Sequence, residues 1–475
     1  MAHAVARPKP TLQPEYCKGC GRCLDACVHQ CITPGTSIDP LTGLMPVTLS
    51  LDQCNGCGLC IDACPEPYGL LSERGLLPAL GLLSETVPAP EMPTPATRRR
   101  ATLPASDIPP VRRALPEGRP LILKGAHASA IGALLAGCRH FFGYPITPST
   151  EGAEYMAKVM PALGGHFVQA VSEVAAVNML YGCGGAGLPT MTFTSSPGFA
   201  LMLEGISYMI GAEVPGVIVD VMRGGPGLGN IAPEQSDIKM LCRGLGHGAT
   251  HAVVLAPATP QEMLDFTALA FEIAFHYRNP VIIAADGYLG QMTGKVTLPP
   301  AAQQPGLPGW AVHGDAAHRQ NLINSIHLSE ADLEEHNRHL QAKYLRMTKA
   351  EQRADLYRCG DAEVLLVACN TPARMAKGAV RVLREEGIQA GLFRPQTLWP
   401  FPIRQLKPLL DHVRTVVVVE ASEGQLEDEL RLALSHAGVG AGLEIRHVRR
   451  MGGVLPSQRE IVEGVRQASR RRARA

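Results

Sequence analysis

Between Leu121 and about Val296 the sequence alternates short apolar runs with longer stretches of helical period. HFFGYPI, HFVQAV, TMTFTSS, GVIVDV, HAVVLAP and PVIIAA read as buried parallel strands, and the segments after Thr150, Glu173, Pro197 and Thr259 read as helices. Such alternation predicts an α/β layer fold with a mainly parallel sheet, in which ligands sit beyond the carboxyl ends of the strands. From Asp361 a second α/β pattern follows. It runs through AEVLLVAC, a helix opened by Thr371-Pro372, GLFRPQ, a helix around Leu406 to Asp411, TVVVVEAS, another helix, and EIRHVRR. Between the two patterns, a Pro-rich turn region leads into the charged stretch SEADLEEHNRHLQAKYLRMTKAEQRADLYR, expected to be an exposed helical connector or packing arm. The expected organisation is a small N-terminal domain (8–72), a Pro-rich linker (73–119), the first α/β domain (120–298), the connector (299–358) and the second α/β domain (359–468).

The length of 475 residues allows two to four domains with sizeable cores. Lys and Arg (44) balance Asp and Glu (43), leaving a net charge of +1. That balance argues against a nucleic-acid surface or a polybasic membrane anchor. Two basic clusters, Arg98 to Arg100 and Arg470 to Arg472, fall in the linker and the tail, where solvated, disordered charge is expected. Although 46% of residues are hydrophobic, Glu204, Glu213 and Asp220 interrupt the best candidate for a membrane span of about 18 residues. The start, MAHAVARPKP, has no apolar run behind its charges, so a cytoplasmic, reducing location is expected and disulfides are not.

Nine of the fourteen cysteines lie between Cys17 and Cys64. They form two runs, Cys17-x2-Cys20-x2-Cys23-x3-Cys27 and Cys54-x2-Cys57-x2-Cys60-x3-Cys64-Pro65, both with the bacterial ferredoxin spacing. Three closely spaced thiolates converge on one cubane, and the fourth of each run is directed to the other cluster. One [4Fe-4S] cluster is therefore assigned to Cys17, Cys20, Cys23 and Cys64, and the other to Cys54, Cys57, Cys60 and Cys27. Structural zinc takes two ligand pairs across a long gap and would leave thiolates unused. Val28 stands where the first run would carry Pro, and Cys31 is a ninth thiol expected to be a small buried residue rather than a ligand. A two-cluster module moves single electrons, so their source must lie downstream.

After the strands of the first α/β domain stand Thr147 in YPITPST, Glu173 in AVSEVAAVN, Ser195 and Ser196 in TSSPGF, and Arg223 in VDVMRGGPGLGN. Each has a plain structural explanation. Thr147 and Ser196, both followed by Pro, suit helix starts, and Glu173 suits a first helical turn. GGPGLG fails as a dinucleotide fingerprint, because its Pro and the following IAPEQ do not open a helix.

In their order, YPITPST, SEVAAVNM, SSPGFALM, EGISY, MRGGPGLG and YRNPVIIAADG resemble the alpha subunit of the 2-oxoacid:ferredoxin oxidoreductases. NLINSIHLSEADLEEHN and GLFRPQTLWPFP extend the likeness, most closely to the ketoisovalerate (3-methyl-2-oxobutanoate) branch, with a ferredoxin module fused in front. The resemblance implies an α/β fold made of a thiamine-diphosphate-binding, pyrimidine-type domain and a transketolase C-terminal-like domain, preceded by a small α+β ferredoxin domain.

The resemblance also implies an activity: CoA-acylating oxidative decarboxylation of a 2-oxoacid, with 2-oxoglutarate, pyruvate or an aryl glyoxylate as alternatives to the branched-chain acids. It places Glu173 against N1′ of the cofactor's aminopyrimidine, and gives Thr147 and Arg223 the substrate carboxylate, which an Arg fork can pair on both oxygens. No Gly-Asp-Gly motif occurs; GDAA at Gly314 and GDAE at Gly360 lack its second Gly and a downstream Asn. The resemblance thus implies a beta subunit that supplies the diphosphate half of the thiamine site and its Mg2+, a gamma subunit, coenzyme A as co-substrate and ferredoxin as acceptor. A pure electron-transfer or scaffold protein is the reading from another class. Glu420 and Glu423 follow a strand in the C-terminal domain, where helix capping or subunit contacts explain them better than catalysis.

Overall fold

The computed structural model describes residues 9–39, 44–65, 70–72, 109–115, 118 and 120–472. The chain divides into two compact units, Met1–Ala96 and Thr97–Ala475. In the first, each cysteine run follows one plan. A single 3-10 turn (Pro14–Tyr16, Leu51–Gln53) leads into the cysteine loop, and a five-residue helix follows (Arg22–Ala26, Leu59–Ala63). Gly21 and Gly58 hold the left-handed backbone that starts these helices, at φ +80° and +83°, where a side chain would be strained. Strand Pro10–Leu12 pairs antiparallel with Leu70–Ser72, and Ile32–Thr33 with Thr48–Leu49. The core is small, with Ile32, Val47 and Leu70 packed among cysteines.

The second unit is built on a seven-stranded sheet. Six strands run parallel, in the spatial order Val253–Leu255, Pro280–Asp286, Gly216–Met222, Thr190–Thr194, His140–Gly143 and His166–Gln169. They are the six apolar runs of the sequence. The three central strands from Thr190, Gly216 and Pro280 are buried along their whole length, as strands covered on both faces must be. Helices Thr150–Val159, Glu173–Gly185, Ser196–Gly211 and Pro260–Tyr277 fall where the helical periods stand. Thr147 caps none of them, because the helix behind it begins three residues later with Ser149 as its N-cap.

The seventh strand, Thr397–Trp399, comes from the C-terminal part of the chain and lies antiparallel beside Val253–Leu255. A five-stranded sheet holds Val364–Val367, Ala390–Pro395, Thr415–Glu420 and Glu444–Arg449 in parallel. Its edge strand, Ala354–Tyr357, is antiparallel and is drawn from the end of the stretch read as connector. The connector helix spans Glu330–Ala350 and buries Leu340, Lys343, Tyr344 and Met347. Val111–Ala114, within the span read as linker, forms a strand paired with Ala301–Gln304. Most of the rest of that span, Arg98 to Arg100 included, lies outside the described residues. Arg470 to Arg472 are no loose tail: they end a helix, Gln458–Arg472. Among the described residues no helix is long and apolar enough to cross a membrane.

Polar bonds join the two sheets' layers within this unit. Asp286 ends the strand Pro280–Asp286 and accepts from the Thr371 amide and hydroxyl, both at 2.8 Å. Asn370 donates to the carbonyls of Pro257 and Ala284, and Arg394 pairs both nitrogens of its fork with Glu262 at 2.9 and 2.6 Å. Every partner is a fixed donor or acceptor, which offsets part of the cost of burying these groups; at Asp286 burial still outweighs its donors and pushes the carboxyl up.

Candidate functional sites

In the N-terminal unit two separate cages open among the cysteines. Cys17, Cys20, Cys23 and Cys64 line one with Gly19, Val47 and Leu70. Cys27, Cys54, Cys57 and Cys60 line the other with Pro10 and Ile32. The last cysteine of each run therefore crosses to the cage of the other run, as the spacing predicts. Amides reach two of the sulfurs: Val47 donates to Cys17 Sγ at 3.4 Å, and Cys31 to Cys27 Sγ at 3.3 Å. Cys31 is buried at the wall of the second cage, and its own thiol points to the His29 carbonyl.

In the larger unit the residues picked from sequence converge on the carboxyl ends of the parallel strands. Glu173 is the first residue of its helix, after Ser172, whose hydroxyl accepts from the Ala175 amide at 3.2 Å. Its side chain is only 4% exposed, yet among the described residues its carboxyl group accepts no hydrogen bond. A carboxyl group with no donor from its own chain can accept from an N–H of a ligand. Gly198 makes room for that carboxyl group. A Cβ there would stand 2.5 Å from Glu173 Oε1 and would also press on Thr194 Oγ1, a buried polar atom without a partner.

Arg223 follows the strand Gly216–Met222 and is 8% exposed. Its Nη1 donates to the Thr147 carbonyl at 2.7 Å and its Nη2 to the Leu228 carbonyl at 3.2 Å, while Nε is buried without a partner. The backbone thus takes one N–H of each terminal nitrogen and leaves the other of each able to donate. Thr147, whose carbonyl takes the Nη1 bond, is itself exposed. Glu234 holds the glycine-rich loop by accepting from the Gly225 and Gly452 amides, each at 3.0 Å. Leu228 and Ile231 stay exposed on the loop.

The first turn of helix Ser196–Gly211 connects the two halves of the site: Ser196 Oγ accepts from the Arg223 amide at 3.0 Å, and Gly198 faces Glu173. Ser195 does not join them, since its hydroxyl donates to the Val221 carbonyl at 2.8 Å. Ser196 also hydrogen-bonds Asp237. The role of Ser196 as a junction, and of Asp237 and Thr194 behind it, is not readable from spacing; only the Ser-Ser-Pro-Gly run marks the place.

Three other acids are accounted for locally. Glu420 accepts from Ser422 Oγ at 2.5 Å and from the Leu426 amide at 2.8 Å, capping the helix Gln425–His436, and burial pushes its carboxyl up to about 6. Asp315, of the GDAA segment, accepts from the rings of His313 and His318 at 3.0 and 2.9 Å. Asp361, of GDAE, pairs with Arg384 at 2.7 and 2.8 Å. Both aspartates are thus engaged with side chains of their own chain.

Three family models match successive parts of the chain. Residues 131–357 match the family model described as pyruvate flavodoxin/ferredoxin oxidoreductase, thiamine diphosphate-binding, residues 362–461 match core domain II of pyruvate:ferredoxin oxidoreductase, and residues 16–67 match a 4Fe-4S dicluster domain. The chain is 44% identical to ketoisovalerate oxidoreductase subunit VorB of Methanothermobacter thermautotrophicus over 73% of its own length and 97% of the relative's. It is 38% identical to 2-oxoglutarate synthase subunit KorA of Archaeoglobus fulgidus, over 65% and 90%. Among solved structures, the 2-oxoglutarate:ferredoxin oxidoreductase of Magnetococcus marinus, with 2-oxoglutarate, coenzyme A and succinyl-CoA bound, superposes with a TM-score of 0.63 at 26% identity. That match covers 73% of this chain and 65% of the other.

Proposed function

Since the chain belongs to the 2-oxoacid:ferredoxin oxidoreductases, we propose that it is the alpha subunit of an enzyme converting a branched-chain 2-oxoacid, 3-methyl-2-oxobutanoate foremost, and coenzyme A into an acyl-CoA and carbon dioxide, with ferredoxin as acceptor. The observation that carries this reading is the Glu173 carboxyl group, which faces Gly198 and accepts no hydrogen bond among the described residues, within a thiamine-type domain. Bound thiamine diphosphate supplies an electron sink for the carbon that loses its carboxylate. Glu173 would hold the proton at N1′ of the aminopyrimidine, and general acid–base help of this kind contributes about 10²- to 10⁴-fold.

Arg223 would bind the substrate carboxylate through its remaining N–H groups, with the Thr147 hydroxyl beside it. Pairing charge with charge inside a dry site orients the acid and strengthens the contact. With Asp315 and Asp361 engaged inside the chain, a beta subunit would supply the diphosphate and Mg2+ ligands, and a gamma subunit would complete the complex. Cys17, Cys20, Cys23 and Cys64 would hold one [4Fe-4S] cluster, and Cys27, Cys54, Cys57 and Cys60 the other. Such clusters accept single electrons, and a reducing cytoplasm suits them.

The substrate choice rests on the higher identity to the ketoisovalerate subunits than to the 2-oxoglutarate ones. The 38% identity to a 2-oxoglutarate synthase subunit makes 2-oxoglutarate the second reading. The test is anaerobic: the chain is purified with whatever binds it, and CoA- and thiamine-dependent viologen reduction is followed across a panel of 2-oxoacids. Activity led by 3-methyl-2-oxobutanoate is expected. Another leading acid replaces the substrate, and no reduction by a complex with intact clusters leaves an electron-transfer or scaffold protein.

A further inference from the structure

Behind Arg223 lies a pair of acids that the proposed chemistry does not use. Asp220 sits within the central strand Gly216–Met222, wholly buried, and among the described residues neither of its carboxyl oxygens makes a hydrogen bond of good geometry, the Ser196 amide only approaching it. The group it faces is another acid, Asp237, itself only 7% exposed. Two carboxylates cannot bond one another, because both only accept; with one proton between them, one becomes the donor. Burial pushes both groups above the usual carboxylate range, Asp237 to about 6, and the facing charge adds to the upward shift at Asp220.

The pair is wired to the site by geometry. Asp237 accepts from Ser196 Oγ, and Ser196 Oγ in turn accepts from the Arg223 amide at 3.0 Å. Ser236, next in sequence to Asp237, closes the ring by donating to the Arg223 carbonyl at 2.7 Å. Both main-chain groups of Arg223 are thus held by hydroxyls flanking the acid pair, and its side chain runs on to the Thr147 carbonyl. Asp237 and Ser196 also line a cleft with Glu234, Lys239 and Arg243 beside the glycine-rich loop.

We propose that Asp220 and Asp237 share one proton and, through Ser196, act as positioning residues that fix Arg223 for the substrate carboxylate. The shared proton lets the Asp237 carboxyl group lie in the interior and still accept from Ser196. The hydroxyl of Ser196, committed to Asp237, turns its lone pair to the Arg223 amide. The positioning role rests on the substrate-binding role proposed for Arg223; the shared proton does not.

Two measurements on the complete complex test the two parts separately. Infrared difference spectra of wild type against Asp220→Asn at neutral pH should show the carbonyl stretch of a protonated carboxylic acid, lost in the variant. A wild-type protein without that band overturns the shared proton, whether or not any 2-oxoacid is turned over. In steady-state kinetics, Ser196→Ala and Asp237→Ala should each raise KM for the 2-oxoacid about tenfold while kcat stays within roughly threefold, as expected when ground-state and transition-state binding fall together. Asp237→Asn, which keeps an oxygen acceptor for Ser196, should restore KM to within about threefold of wild type. Unchanged KM in both alanine variants, or no rescue by Asn, overturns the positioning role. A wild-type complex that is inactive on every 2-oxoacid while the infrared band is present would refute the proposed function and the positioning role and leave the shared proton standing.

Discussion

The guanidinium of Arg223 donates to the main-chain carbonyl of Thr147 at 2.7 Å, although 76 residues separate the two in sequence. The bond joins the ends of two different strands of the seven-stranded sheet, Gly216–Met222 and His140–Gly143. It fixes the guanidinium plane before any ligand arrives, so little entropy remains to be lost on binding. Lysine at this position could reach one acceptor but could not hold the carbonyls of Thr147 and Leu228 while offering a planar edge to a carboxylate. Arg223→Lys is expected to weaken kcat/KM for the 2-oxoacid by about 2 kcal/mol, roughly 30-fold, mostly in KM. Thiamine diphosphate affinity should stay near wild type. An unchanged KM in a titration of the purified complex would remove Arg223 from substrate binding.

Glu173 is the second fixed point, and its test is isosteric. Glu173→Gln keeps the volume and the helix start but replaces a group that can exchange a proton by one that cannot. Turnover should fall by about 10² or more. The iron content and the reduced-cluster spectrum should be untouched, because the cluster ligands belong to the other compact unit. A variant that keeps near-normal turnover would show that another acid serves the cofactor.

How far these two points could be read from the sequence depends on what kind of signal marks each. The strands that carry them are legible because runs such as GVIVDV and PVIIAA are covered on both faces and cannot carry polar alternation. Val111–Ala114 escapes because all four of its residues are exposed, so backbone pairing with Ala301–Gln304 leaves no hydrophobic mark. Thr397–Trp399 escapes because three residues carry no period, and its partner lies in a sheet more than a hundred residues upstream. Ala354–Tyr357 follows directly on a charged helix, and two of its neighbours in sequence are Arg353 and Arg358, so it reads as more of the same polar stretch. Glu173 and Arg223 stand out as charges just after apolar runs. Asp220, in the middle of one, reads only as an interruption; its facing partner, Asp237, is brought there by the chain's return after the glycine-rich loop.

Gly198 offers a third test because its effect is steric alone. A methyl group there would meet Glu173 Oε1 at 2.5 Å and Cγ at 2.8 Å, well inside contact distance, so the carboxyl group must move. Overpacking of this kind costs about 1 to 3 kcal/mol of stability. Gly198→Ala should therefore lower the melting temperature of the complex moderately and weaken thiamine diphosphate binding. Its effect on turnover should overlap with that of Glu173→Gln. In a double-mutant cycle the combined loss should be clearly smaller than the sum, since both changes act on one carboxyl group. Full additivity would place the effect of Gly198 elsewhere.

The crossing of the fourth cysteines can be decided by pairwise substitution. Cys64 belongs to the second run but lines the cage with Cys17, Cys20 and Cys23, whereas Cys57 lines the cage with Cys27, Cys54 and Cys60. Cys64→Ala should lower the iron and sulfide content of anaerobically purified protein to about half, one cluster of two. Adding Cys20→Ala, in the same cage, should remove nothing further, while adding Cys57→Ala should remove the rest. Cys20 and Cys57 are both exposed, so neither substitution opens a hole in the core, and losses can be read as losses of ligands rather than of packing. If instead the Cys57/Cys64 pair retained one cluster and the Cys20/Cys64 pair retained none, each run would be binding its own cluster and the crossed assignment would fall.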